Sequence, residues 1–225
     1  RGRDTTKPVL LYLHGGPGDP EFPFVHQFNP GIEDLFVVCY WDQRGSGLSY
    51  AKNISPATMT LLQFVDDAGK VSEFLIHKFN RKKIYLLGHS WGTMLGAFAV
   101  KKYPEYYYAF IAVGQVAEQD RSELISYNFV LSKARELKDT KAIKVIEKIG
   151  PPPYSDPKEA IEKMMTERKY VTKYRGAVKK GHFYSEALEA MLYCHEYCLK
   201  DKVNYLKGMK FTLNFLWDTI QNSNL

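Results

Sequence analysis

Gly88-His89-Ser90-Trp91-Gly92 is the segment that most narrows what this chain can fold into. It follows the run Lys83-Ile84-Tyr85-Leu86-Leu87 and precedes a helical stretch from Trp91 to Tyr103, which Pro104 ends. A serine between a strand and a helix, with glycines two residues to either side, sits on a very tight turn. Side chains at the flanking positions would collide there, and the serine itself takes a strained conformation. The helix behind it adds free backbone N–H groups and a positive dipole end, both of which favour developing negative charge. G-x-S-x-G is common by chance, but its placement between strand and helix makes Ser90 a candidate catalytic nucleophile.

The surrounding pattern supports that placement. Pro8-Val9-Leu10-Leu11-Tyr12-Leu13, Leu35-Phe36-Val37-Val38-Cys39-Tyr40-Trp41 and Ala109-Phe110-Ile111-Ala112-Val113 are further short apolar runs. Runs apolar on both faces predict strands buried in a parallel sheet. Thr60-Leu61-Leu62-Gln63 reads as a capping box, with Leu61, Phe64, Val65, Ala68, Val71, Phe74 and Leu75 near one face of the helix it opens. Strand and helix alternate, which is an α/β pattern with a wound sheet. From about Glu118 strand-like runs become rare. Helical segments rich in Lys and Glu follow over 120–137, 139–149, 157–170 and 185–200, interrupted by Pro151-Pro152-Pro153. Residues 1–118 are therefore expected to form the core and 119–225 a helical cap or lid.

A second glycine-rich turn, His14-Gly15-Gly16-Pro17-Gly18, ends the first run, and Asp42-Gln43-Arg44-Gly45-Ser46-Gly47 ends the next. An oxyanion hole needs backbone N–H groups free of side-chain obstruction, and a glycine turn supplies them. The expected donors are the N–H of Trp91 and one from the Gly15-Gly16 stretch. His14 is expected to steady that loop through hydrogen bonds. His89 should point away from the serine beside it, as a packing or hydrogen-bonding residue.

HGGPG, DQRGSG and GHSWG, in this order and at these separations, resemble the proline iminopeptidase branch of the α/β hydrolases. The resemblance covers roughly residues 1–118. It implies the α/β-hydrolase fold, with a parallel sheet core and a helical cap insertion. It also implies a serine peptidase that removes an N-terminal residue, often proline, from short peptides without metal or cofactor. The nucleophile maps to Ser90, the oxyanion donors to Gly15, Gly16 and Trp91, and residues 42–45 to a loop bracing the site. Two features depart from the branch: many members have glycine where His89 stands, and the cap lacks their tryptophan–glutamate pairing. Cap carboxylates usually hold the substrate amine in such enzymes, which makes Glu186, Glu189 and Glu196 candidates by location. Epoxide hydrolases and haloalkane dehalogenases carry an aspartate where Ser90 stands, so they fit less well.

In this fold the triad acid and histidine follow later strands. After Ser90, no apolar strand followed by Asp, and none followed by Gly-His, occurs before Leu225. The acid and base are accordingly expected beyond residue 225, in a protein longer by one further sheet segment, and residues 1–225 alone are expected to turn over little. The start likewise falls where the second strand of the fold should be ending. Four inner strands by themselves would leave two apolar sheet edges unpaired. His182 and His195 lie in the helical half, where a lone histidine is more often a surface or packing residue than a base. Cys194, His195 and Cys198 share a short stretch, but a tetrahedral zinc site wants four ligands and no second pair is evident.

Composition adds limits. Three cysteines give no disulfide framework, and the first residues lack the apolar stretch of a signal peptide, so a cytoplasmic setting is expected. No run reaches the ~18 apolar residues of a membrane helix. Of the net charge of +6, +5 falls after residue 118, yet acids are interspersed among those lysines, which reads as solvated helix faces rather than a nucleic-acid surface. The expected partner is a small-molecule or short-peptide substrate. An esterase or amidase of the same fold, or a non-catalytic binding protein, are the rival readings.

Overall fold

The computed structural model describes residues 4–154, 156–178 and 183–221. Four parallel strands, β1 (Val9–Leu13), β2 (Val37–Trp41), β3 (Ile84–His89) and β4 (Tyr107–Val113), form one sheet in the order β2-β1-β3-β4. The sequence also builds helices α1 (Phe22–Phe28), α2 (Gly31–Leu35), α3 (Leu61–Lys78) and α4 (Trp91–Lys102) between the strands. A later group comprises α5 (Gln119–Glu136), α6 (Thr140–Ile149), α7 (Pro157–Lys173), α8 (Phe183–Tyr193) and α9 (Leu199–Gln221).

β1 is buried along its whole length, as a central strand covered on both faces must be. Strand alternation then sorts its residues. Leu10 and Tyr12, with Leu87 of β3, pack on Val25, while Val38, Tyr40, Tyr85, Ile32 and Phe36 close around them. Phe64 of α3 and Met94, Leu95 and Ala99 of α4 are fully buried, and both helices pack on β3. β4 lies at the sheet edge and leaves Tyr108, Ile111 and Val113 exposed.

α3 shows where periodicity misleads. Thr60 Oγ1 accepts the Gln63 N–H at 3.2 Å, so the cap forms as its sequence predicts. The Gln63 side chain, however, turns down the helix to donate to Asp67 at 3.0 Å. The buried stripe runs Leu61, Phe64, Val65, Ala68, Ser72, Leu75; Phe74 is exposed beneath Lys78. Ser72 takes a core position because its hydroxyl bonds both the Ala68 carbonyl and the Tyr107 hydroxyl, each at 2.8 Å.

The described residues divide into two compact units, one of residues 4–117 with 190–221 and one within residues 118–189. The break falls after residue 117, and residues 190–221 group with the sheet-bearing unit. The reason is the 23-residue helix α9, which buries Tyr205, Gly208, Thr212 and Leu216 at helical spacing. A Cβ on Gly208 would lie 2.8 Å from the Gly45 carbonyl, so only glycine lets α9 approach that loop. The expected helix over 185–200 is in fact two, separated by a turn at residues 194–198.

In the helical unit, Tyr127, Val130 and Ile146 form a core ringed by Phe129, Ile149, Tyr170 and Val171. Asp139 caps α6 by accepting the Ala142 N–H at 3.0 Å. Lys173 also donates to Asp139 and holds its carboxyl down at about 2. Arg168 bridges Glu123 and Glu167 between α5 and α7, and burial pushes both of those carboxyls up.

Candidate active site

Three loops meet because three parallel strands end together. Leu13 pairs with Trp41 on one side and with Gly88 on the other. The HGGPG loop, the DQRGSG loop and the GHSWG turn therefore leave the same end of the sheet, where ligands bind in open α/β folds.

Ser90 caps α4 with φ 51° and ψ −120°, a left-handed backbone that costs a non-glycine residue about 1–3 kcal/mol. Its surroundings leave no alternative. Its N–H donates to the Val113 carbonyl at 2.9 Å, and its carbonyl accepts the Thr93 N–H at 2.8 Å and the Thr93 hydroxyl at 2.6 Å. The Thr93 Oγ1 in turn accepts the Val116 N–H at 2.9 Å. A Cβ at Gly88 would stand 2.3 Å from the Gly92 carbonyl oxygen, and one at Gly92 would stand 2.1 Å from that of Leu13. The Ser90 hydroxyl itself has no hydrogen-bond partner among the described residues and is half-buried.

The glycine loop closes over this turn. A Cβ on Gly15 would lie 3.1 Å from Ser90 Cβ and 3.3 Å from the His89 carbonyl oxygen. Gly15 gives its own N–H to Glu21 Oε1 at 3.0 Å. Gly16, exposed and at φ 108°, has an N–H with no acceptor among the described residues. Trp91 is the first residue of α4, so its N–H lacks an acceptor inside the helix. Two open donors thus flank the serine.

The buried groups behind the site are paired with care. Gln43 donates to the His14 carbonyl at 3.0 Å and accepts the Trp91 indole N–H at 2.9 Å. The Gln43 N–H donates to His14 Nε2 at 3.1 Å, so the ring proton sits on Nδ1 and is donated to the Gly15 carbonyl at 2.9 Å. His14 therefore holds the loop, as its position in the motif suggests. The 42–45 loop braces the site from below: Arg44 grips Asp67 with two bonds at 2.7 and 2.8 Å, and Thr212 of α9 donates to the Gly45 carbonyl at 3.1 Å. Gln43→Leu keeps the volume but strands the Trp91 N–H and the His14 carbonyl. Each buried group left unmade costs about 1–3 kcal/mol, and a loss of about 2–6 kcal/mol is expected in urea unfolding.

Glu21 has no counterpart in the sequence reading. It stands just before α1, six residues after Gly15, and accepts from Gly15, from His89 Nδ1 at 2.6 Å and from the Tyr12 hydroxyl at 2.7 Å. The Glu21 carboxylate holds the His89 imidazole above the ordinary histidine range, against the opposing effect of burial. Its signal in the sequence is faint, a lone acid after a glycine loop. Nearby, burial pushes the Asp19 carboxyl up, although the Tyr205 hydroxyl donates to it.

Glu189 is exposed on α8, Glu186 is half-buried on the same helix, and Glu196 is exposed in the turn after it, as is His195. Cys194 is buried and Cys198 exposed. His182 lies outside the described residues. Among the described residues no three His, Cys, Asp or Glu side chains are grouped to hold a metal, and no helix is long and apolar enough to cross a membrane.

Comparison with known proteins agrees with this geometry. Residues 8–141 match the family described as alpha/beta hydrolase fold. The protein named probable aminopeptidase YbaC, from Bacillus subtilis (strain 168), is 34% identical over 99% of this chain and 69% of its own length. A proline iminopeptidase of Lactobacillus acidophilus is 37% identical over 42% of the chain, which spans 31% of that protein. Among solved structures, a proline iminopeptidase-related protein from Thermus thermophilus superposes with a TM-score of 0.51 at 22% identity, over 76% of this chain and 52% of that one. An epoxide hydrolase from hot-environment metagenomes gives 0.52 at 16% identity, over 96% and 63%. Both structures share the fold, and the chain spans only about half to two thirds of each. By fold, motif order and the match over its whole length, the chain belongs to the α/β-hydrolase family.

Proposed function

We propose that this chain supplies the nucleophile and oxyanion donors of a serine hydrolase that acts by acyl transfer, an aminopeptidase- or iminopeptidase-like enzyme removing N-terminal residues from small peptides. The observation that carries the reading is the Ser90 turn: a strained, unbonded hydroxyl between the N-terminus of α4 and a glycine loop with an open N–H. Strain at a serine whose hydroxyl makes no structural bond has no role in stability, and such strain concentrates at functional sites. In the proposed step, Ser90 Oγ bonds to the substrate carbonyl carbon and its proton passes to a histidine base. The carbonyl becomes an oxyanion held by the Trp91 and Gly16 N–H groups. The amine then leaves with a proton from that histidine, and water releases the acyl group from Ser90. His14 is no candidate for the base, since both its ring nitrogens are bonded within the loops. The names carried by the relatives, aminopeptidase and proline iminopeptidase, support a peptide substrate with a free amine.

The test compares aminoacyl arylamides, prolyl and alanyl, with short acyl esters on the full-length protein. Arylamide turnover is the expected result. Turnover of esters alone would replace the peptidase reading with an esterase. A fluorophosphonate that fails to label Ser90 would point to a binding protein.

A further inference from the structure

The carboxylate of Glu21 touches three parts of the site at once, and no role in the proposed reaction requires it to meet substrate. Its Oε1 accepts the Gly15 N–H at 3.0 Å and His89 Nδ1 at 2.6 Å, while Oε2 accepts the Tyr12 hydroxyl at 2.7 Å. These partners belong to the glycine loop, to the residue beside the nucleophile, and to β1. A Cβ on Gly15 would lie 2.8 Å from Oε1 and 3.1 Å from Ser90 Cβ, so nothing larger than hydrogen separates the clamp from the nucleophile. The Glu21 side chain is only 13% exposed, which shields these bonds from water.

We propose that Glu21 is a positioning residue: it locks the glycine loop onto the serine turn and, by taking the Gly15 N–H, leaves that of Gly16 as the loop's oxyanion donor. The inference rests on the reading of Ser90 as nucleophile. A loop of glycines has little stiffness of its own, because glycine loses more backbone freedom on folding than any other residue. An oxyanion hole acts only when its donors are fixed before the charge develops. Within the loop it is Gly15 that makes the close approach to Ser90, and that is where Glu21 binds it. His89 supplies the counter-charge. The groups facing its ring are Glu21, in direct contact, and Asp19, with the Tyr12 and Tyr205 hydroxyls on the far sides of those carboxylates.

Two measurements on the full-length protein test this. Glu21→Gln keeps the shape and removes the charge. It is expected to lower kcat roughly 10-fold with KM held within about twofold, since loosened donors weaken the transition state and not the ground state. Glu21→Ala, which removes the acceptor too, is expected to lower kcat roughly 100-fold. The His89 ring, followed by NMR, should titrate above the ordinary histidine range in the native protein and fall back into it in Glu21→Gln. Because the folded-state value is raised, the pair's contribution to stability is complete below the ordinary 6.5 and is lost as pH rises through the folded value. The gap in melting temperature between native protein and Glu21→Gln should therefore be wider at pH 6 than at pH 9.

An unchanged kcat in Glu21→Gln, or a rise in KM alone, overturns the proposal; the latter would make Glu21 a substrate contact. If Glu21→Gln does not fold, His89→Gln keeps a neutral donor for the carboxylate and is read by the same kcat and KM split, where a kcat equal to native overturns it. Hydrolysis that survives Ser90→Ala would instead remove the nucleophile reading. The His89 titration would still report whether the clamp exists.

Discussion

Ser90→Ala in the full-length protein is expected to lower kcat by about 10⁴-fold or more while leaving the fold intact. The size follows from the proposed chemistry: if Ser90 is the nucleophile, no acyl-enzyme forms without Oγ, and what remains is the donors and the binding surface acting on water. The intact fold follows from the structure. The Ser90 hydroxyl makes no bond to any described residue, and the Thr93 and Val113 contacts that hold the turn go to backbone atoms, which alanine retains. Stability should thus stay within about 0.5 kcal/mol of native. Ser90→Gly sharpens the test. Glycine accepts φ 51° without strain, so this variant should be more stable than native by up to about 1 kcal/mol and equally inactive. Thermal unfolding and arylamide kinetics on the two variants check both halves. Substantial turnover by Ser90→Ala would show that another group attacks the substrate.

Most of this site is legible in the sequence, for a reason that can be stated residue by residue. Gly88, Gly92 and Gly15 sit where a Cβ would meet backbone or the Ser90 side chain within about 3 Å, so the contacts themselves demand glycine and the motif records them. The strands are legible because burial on both faces leaves no polar position to interrupt the run, as in β1. The short helices α1 and α2 carry no such mark. α1 has no side-chain cap, and α2 is five residues long with nothing buried. The allegiance of α9 escapes for another reason. Its lysines, at 200, 202, 207 and 210, resemble those of the preceding helices, and what sets it apart is the partner of Gly208 and Thr212, a loop some 160 residues earlier. Glu21 is of the same kind. A carboxylate acquires meaning from the donors around it, and two of the three, Gly15 and His89, come together only when β1 and β3 pair. Local patterns record what the backbone forbids; they record poorly what distant side chains share.

The same logic fixes the sign of a substitution that propensity alone gets wrong. Gly92 lies in the first turn of α4, where alanine would ordinarily stabilise a helix by up to about 1 kcal/mol. Here the added methyl would stand 2.1 Å from the Leu13 carbonyl oxygen, 2.8 Å from its carbon and 2.9 Å from the His14 oxygen. None of these can retreat cheaply. Leu13 is the last residue of a fully buried strand paired on both sides, and the His14 carbonyl accepts from Gln43. Overlap with immobile backbone belongs to the exceptional class of substitution, so Gly92→Ala is expected to cost about 4 kcal/mol or more and to displace the Ser90 turn with it. Gly31→Ala is the control. Gly31 opens α2 with nothing within 4 Å of the new methyl and no left-handed φ, so it should be neutral or stabilising by up to about 1 kcal/mol. Urea unfolding of the pair gives the answer directly: similar midpoints would mean that α4 can slide away from β1, and that the close approach of helix to strand is not what requires glycine in this turn.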